Sequence, residues 1–173
     1  MCRLLLSVFF FVWMGMVSPA FAGGFEKRGG EATLDLTFQD EEDIGTFISV
    51  NGSVLFILAG GYFEIGPVYS YARIEGDDGS FFDGYGFGPR AEINFLPDLS
   101  ATPFITGSFL FLGGDLGDVF DDEVSVGAGI KIFIGDSAAL RITGSRITRS
   151  GEPGLADQEA TLITAGFSVF LGD

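Results

Sequence analysis

The chain has 173 residues, enough for one domain and short for two. It carries 24 acids against 9 bases, a net charge of −15, and no histidine, which makes nucleic acid an unsuitable partner and removes the usual general base, catalytic triads and commonest zinc ligand. Yet 47% of its residues are hydrophobic, so acidity and apolarity must be segregated along the chain.

The first stretch reads as a secretory signal. Arg3 precedes an apolar run from Leu4 to Val17, and Ser18-Pro19-Ala20-Phe21-Ala22 supplies an Ala-x-Ala ending, which predicts cleavage between Ala22 and Gly23. A retained anchor helix is the alternative, but the run falls short of the ~18 apolar residues of a membrane span. Cys2 lies before the run and leaves with it, so the mature chain has no cysteine and its charge falls to −16, since residues 1–22 hold one base and no acid. Residues 23–30 are then a short N-terminal periplasmic segment.

From residue 31 the pattern has a period of two, the signature of strands. Strand one, Glu31 to Gln39, sets Ala32, Leu34, Leu36 and Phe38 against Thr33, Asp35 and Thr37. Strand two, Thr46 to Leu58, sets Ile48, Val50, Val54 and Phe56 against Ser49, Asn51 and Ser53. Its Asn51-Gly52 is also a type I′ hairpin signal, which would split the segment and give nine strands, with halves of about 5 residues, too short to cross a bilayer. Strand three, Tyr62 to Ile74, carries Phe63, Ile65, Pro67, Tyr69 and Tyr71 on one parity and Glu64, Gly66, Ser70 and Ala72 on the other. Pro67 would be a defect in a central strand and counts against regular pairing there.

Strand four, Phe81 to Phe95, is expected to be the longest, with Tyr85, Phe87, Pro89, Ala91, Ile93 and Phe95 opposite Gly84, Gly86, Gly88, Arg90, Glu92 and Asn94. Strand five, Thr102 to Gly113, sets Thr106 and Ser108 against Ile105, Phe109 and Phe111. Strand six, Asp122 to Gly135, alternates most fully: Val124, Val126, Ala128, Ile130, Ile132 and Ile134 form an uncharged apolar face, and Ser125, Gly127, Gly129, Lys131 and Phe133 the other. Strand seven, Ala138 to Arg149, sets Leu140 and Ile142 against Arg141, Thr143 and Ser145. Strand eight, Glu159 to Leu171, has Ile163, Ala165, Phe167, Val169 and Leu171 on its apolar face.

The connections alternate in character. Those after strands two, four and six are compact, and those after one, three, five and seven are long and acidic, holding or flanking 16 of the 24 acids. Short turns at one end and charged loops at the other are the layout of an eight-stranded antiparallel up-and-down transmembrane β-barrel spanning residues 31–173, with both termini on the short-turn side. A soluble sandwich has no reason to sort its loops this way.

In these features the chain resembles the small OmpA/OmpX-type outer-membrane barrels and, more broadly, the bacterial outer membrane protein beta-barrel domain proteins. The likeness rests on Tyr62-Phe63-Glu64-Ile65-Gly66, Gly84-Tyr85-Gly86-Phe87-Gly88-Pro89-Arg90, Val126-Gly127-Ala128-Gly129 and Ala165-Gly166-Phe167-Ser168-Val169-Phe170-Leu171. It covers nearly all of the mature chain through loose alternation patterns. Members commonly end on an aromatic residue, whereas this chain ends Phe170-Leu171-Gly172-Asp173. The resemblance implies export to the cell outer membrane and a role in envelope stabilisation, adhesion or a minor pore. The barrel enzymes of that membrane rely on a histidine, so the chain is read as a non-enzyme that needs no cofactor and no catalytic metal.

Six polar residues of inward parity, Asp35, Glu64, Arg90, Glu92, Lys131 and Arg141, are expected to form a lumen network. An eight-stranded barrel has an interior just wide enough for side chains to fill, so these charges must pair and plug it. A gated ion path is the alternative. Gly84-x-Gly86-x-Gly88 lies within a strand, without the following helix that phosphate binding requires, and its glycines are expected to make room for neighbouring side chains. Tyr69, Tyr71, Tyr85, Phe109 and Phe111 are assigned to an aromatic girdle at the loop end, and Phe56, Phe63, Phe95, Phe104 and Phe133 to one at the turn end. Expected partners are membrane lipid and lipopolysaccharide, with Arg73, Arg146 and Arg149 meeting lipid phosphates, and divalent cations at the acidic loops, around a monomeric barrel. The rival from another class is a soluble, lipocalin-like periplasmic binder of apolar ligands.

Overall fold

The computed structural model describes residues 28–41, 45–75, 81–151 and 157–172. The signal segment with its cleavage site at Ala22 and Gly23, and parts of three acidic loops, lie outside these residues. Among those described, eight strands close into a barrel in which each pairs antiparallel with its chain neighbours and β1 pairs with β8. They are β1 Gly30–Glu41, β2 Gly45–Leu58, β3 Phe63–Glu75, β4 Phe81–Asn94, β5 Ala101–Gly114, β6 Phe120–Gly135, β7 Ala138–Gly151 and β8 Gln158–Leu171. Each of the eight is long enough to cross a bilayer at a tilt. The longest is β6, with 16 residues, and not β4 with 14. Phe120 and Asp121 extend β6 beyond the expected start at Asp122, since Phe120 pairs with Gly151 and Asp122 with both Phe111 and Ser150.

Closure fixes a stagger. From Gly30 the paired positions run through Phe56, Ile65, Ala91, Gly107, Val126 and Arg146 to Thr161, which lies on the loop side of Thr164, the residue that faces Thr37. A path perpendicular to the strands therefore climbs toward the far end of β1, the shear that tilts barrel strands.

Asn51-Gly52 makes no hairpin. Asn51 pairs with Asp35 and Ser70, Gly52 pairs with Leu34 and Tyr69, and β2 runs through without a break. The chain instead reverses after β2 at Ala59–Gly61, a 3-10 turn whose residues have φ of 51°, 67° and 93°. Two glycines supply most of that left-handed backbone at no steric cost. Pro67 and Pro89 face one another across β3 and β4, while the ladders from β3 to β2 and from β4 to β5 are interrupted beside them. A proline has no N–H to give its outer neighbour, so each sits where the ladder is already open.

The faces are sorted as a membrane barrel requires and a soluble core forbids. On β1, Leu34, Leu36 and Phe38 are 52–60% exposed, while Glu31, Asp35 and Thr37 on the opposite parity are no more than 4% exposed. Ile163 of β8 is 76% exposed, yet Lys131 of β6 is fully buried. The outer surface is apolar and the interior is charged, which overturns the lipocalin-like reading, since that needs an apolar interior.

Two residues assigned to the turn-end girdle are inside. Phe104 and Phe133 are 1% and 6% exposed, because each shares the parity of inward residues on its own strand, Thr106 and Lys131 respectively. Phe133 and Phe170 stack with centroids 5.2 Å apart and pack with Ala139 and Ile57, forming an apolar layer across the end of the barrel that holds the termini. Arg149 also turns inward, where its Nε donates to Glu123 Oε2 at 2.8 Å, so it is not a lipid-facing arginine.

Candidate functional site: the barrel lumen

Alternation decides only which side chains enter the lumen; their order along each strand decides the depth. On β7 the inward residues from the turn end are Ala139, Arg141, Thr143, Ser145, Ile147 and Arg149, and on β5 they are Thr102, Phe104, Thr106, Ser108, Leu110 and Leu112. Taken together the strands give an apolar base, a charged layer supplied by β1, β3, β4, β6 and β7, hydroxyls above it, and a largely apolar collar toward the loops.

The charged layer unites all six of the residues singled out in the sequence. Lys131 Nζ donates to Glu31 Oε2 at 2.6 Å and Glu64 Oε1 at 2.8 Å, and lies 3.0 Å from Glu92 Oε2. Arg141 donates from Nη1 to Glu31 Oε1 at 2.7 Å and from Nη2 to Glu92 Oε1 at 2.5 Å, with Asp35 Oδ1 3.6 Å from its Nε. Arg90 donates to Asp35 Oδ2 at 2.8 Å, and its Nη2 lies 2.7 Å from Glu92 Oε1. Four acids thus meet three bases, all at most 8% exposed. Burial of this kind is tolerated only when each charge has a partner, because an orphan would cost about 3–5 kcal/mol.

Glu31 is the member that the sequence reading missed. It shares the parity of Asp35 and was legible as inward, but it opens its strand, and its three partners come from β6, β7 and β8. Ser168 Oγ donates to its Oε1 at 2.5 Å, and Asn94 Nδ2 donates to Glu64 Oε1 at 2.6 Å. Glu31, Glu64 and Glu92 place oxygens within 4.8 Å of one another, close enough to surround a cation. The ammonium of Lys131 stands among them, so the chain supplies the cation itself. Phe104 lies against this layer, with its ring centroid 4.7 Å from Arg141 Cζ and 5.4 Å from Lys131 Nζ.

Glycines make the layer possible at two points. A Cβ on Gly166 would sit 1.9 Å from Asp35 Oδ1, and one on Gly129 would sit 2.6 Å from the Phe104 ring. Of the β4 glycines, Gly84 receives the side chain of Leu116 and Gly86 those of Leu110 and Leu112, as expected of lumen glycines. Gly88 differs: its missing Cβ leaves room for the backbone carbonyl of Phe109.

Below the charges the N-terminal residues cross the barrel end. Gly29 N donates to Leu171 O at 2.9 Å and Ile57 N to Gly29 O at 3.2 Å. Arg28 places Cζ 4.4 Å from the Phe170 centroid and 5.2 Å from that of Phe133, and its Nη2 donates to Asp136 O in the β6–β7 turn. Burial lowers the pKa of this guanidinium from its ordinary value, while Asp136 and Glu31 oppose the shift.

On the outer wall near the loops, Arg73 stacks over Phe81 at 3.9 Å, Tyr71 donates to Asp83 Oδ2 at 3.1 Å, and Arg146 donates to Glu159. These mark the polar border of the apolar band.

A closed, staggered barrel of eight meandering strands with a charged interior and an apolar outer wall leaves one architecture. The fold is that of the small OmpA/OmpX-type barrels. No protein-family model matches the chain, and no curated protein matches it by sequence. Solved structures do match. Neisserial surface protein A is similar with a TM-score of 0.58 and 13% identity over 82% of this chain and 96% of that one. The N-terminal β-barrel domain of Pseudomonas aeruginosa OprF gives 0.56 and 11% over 84% and 99%. A de novo designed transmembrane β-barrel gives 0.55 and 10% over 84% and 98%. At such identities the likeness to OmpA/OmpX-type barrels is one of fold. It shows that this architecture arises from alternation and closure, with few residues held in common.

Proposed function

We propose that the chain is a non-enzymatic protein of the bacterial outer membrane, with a plugged polar lumen and acidic loops toward the outside, serving envelope structure or surface adhesion. The observation that carries this reading is the inversion of burial: Glu31, Lys131 and Arg141 are at most 1% exposed while Leu36, Phe111 and Ile163 are 54–76% exposed. Such a surface is unstable in water and matched to acyl chains. The charged layer and the Phe133–Phe170 layer beneath it support a lumen closed to ions.

Lipid and lipopolysaccharide are the partners this reading requires, with Arg73 placed to meet phosphates at the loop-side border. Divalent cations at the acidic loops, and a monomeric state, belong to the same proposal. Two measurements test it together. Fractionation should leave the protein in the outer membrane with heat-modifiable gel migration, and recovery in the soluble periplasm would overturn the location. Planar bilayers containing the purified protein should show no steady current, and sustained conductance would overturn the plug in favour of a small pore.

A further inference from the structure

Between the charged layer and the loops the lumen holds a partly open cavity of about 90 Å³. That is room for roughly half a dozen waters, or for one molecule of about a dozen non-hydrogen atoms. Its chemistry is layered. The floor is Asp35 and Arg90. Above them comes a belt of hydroxyls that includes Thr37, Ser49, Ser125, Thr143, Ser145 and Thr164, and above the belt a collar of Ala72, Leu110, Leu112, Leu116, Ile147 and Leu162.

The charges that line the cavity cancel in pairs, Arg90 with Asp35 at 2.8 Å and Arg149 with Glu123 at 2.8 Å. A cavity lined this way has no net charge with which to recruit an ion. Hydroxyls donate and accept with equal ease, so the belt suits a neutral group rich in hydroxyls. The collar is apolar over most of its rim, with the paired Glu123 and Arg149 level with Leu110: Leu116, in the β5–β6 connection, folds back into the barrel mouth over Gly84, held by hydrogen bonds from Asp115 N to Asp83 O and from Phe120 N to Leu116 O.

The geometry points to a binding site for a small uncharged amphiphile, with a hydroxylated head seated in the belt and a short apolar tail passing through the leucine collar. The site goes beyond the structural role proposed above and shares with it only the closed floor. Conductance reports on the floor and binding on the cavity, so the two fail separately.

The test uses the full chain in lipid nanodiscs and follows amide resonances during titration with hexyl glucoside, glucose, hexyl sulfate and hexylammonium. The expected result is saturable shifts at Ser49, Ser125 and Thr143 with hexyl glucoside, about tenfold weaker binding of glucose for want of the tail, and no saturable shift with either charged analogue. Ser125→Phe fills the belt without touching the charged layer and should weaken hexyl glucoside about tenfold or more. Equal binding of a charged analogue would overturn the proposal. So would shifts confined to lipid-facing residues such as Leu36 and Ile163, which would mean partition into the bilayer, or the absence of any saturable shift. The comparison among probes needs only the wild-type chain and stands even where the variant does not fold.

Discussion

Lys131 on β6 and Glu31 on β1 stand 100 residues apart in the chain and 2.6 Å apart inside the barrel. That contact exists only when the sheet has closed, because the two strands are separated by β7 and β8 on one side and by four strands on the other. The charged layer is thus a product of closure, and it rewards the complete barrel over any open sheet.

Replacing Lys131 by methionine keeps the volume and removes the cation from among Glu31, Glu64 and Glu92. We expect a loss of about 3–5 kcal/mol, read as a lower urea midpoint for the barrel folded in vesicles. Adding Glu31→Gln should recover part of it, with a coupling of about 0.5–3 kcal/mol in the double-mutant cycle. Strict additivity would mean that the two side chains do not act as a pair.

Gly166→Ala should cost about 1–3 kcal/mol by overpacking, since its Cβ would meet Asp35 Oδ1 at 1.9 Å. In an Asp35→Ala background the penalty should largely vanish. Gly144→Ala is the control: nothing lies within 4 Å of its Cβ, and the change should stay within about 0.5 kcal/mol. Equal penalties at both positions would refute a site-specific clash.

Leu36→Arg separates a membrane wall from a watery one. Leu36 is 54% exposed near the middle of β1, and an arginine facing the bilayer midplane costs about 2–4 kcal/mol. In a barrel surrounded by water the same substitution would be neutral. The measurement is the unfolding free energy in vesicles, with Tyr71→Arg, nearer the loop-side border, expected to cost less.

Arg28→Ala removes the guanidinium that covers Phe133 and Phe170. Hydrogen exchange at the Gly29 amide, bonded to Leu171 O, should quicken as the strap loosens, and stability should fall by about 1 kcal/mol. Unchanged exchange would show that the backbone bonds alone hold this segment.

Strand number, direction and facing were legible in the sequence because the side-chain period in a strand is two, whatever the strand's neighbours. Val124 to Ile134 on one parity and Ser125 to Lys131 on the other needed no tertiary information. The six lumen charges were legible for the same reason, and so, by parity, was Glu31, although its place at a strand end obscured it. What parity cannot give is depth, since two inward residues meet only if the stagger of the closed sheet brings them to one level. The tertiary structure therefore decided that Lys131 finds Glu31, that Phe104 lies against the charged layer and Phe133 in the apolar layer beneath it and not among lipids, and that Arg149 turns to Glu123. Hydrophobicity chooses a face, and closure geometry chooses the partner.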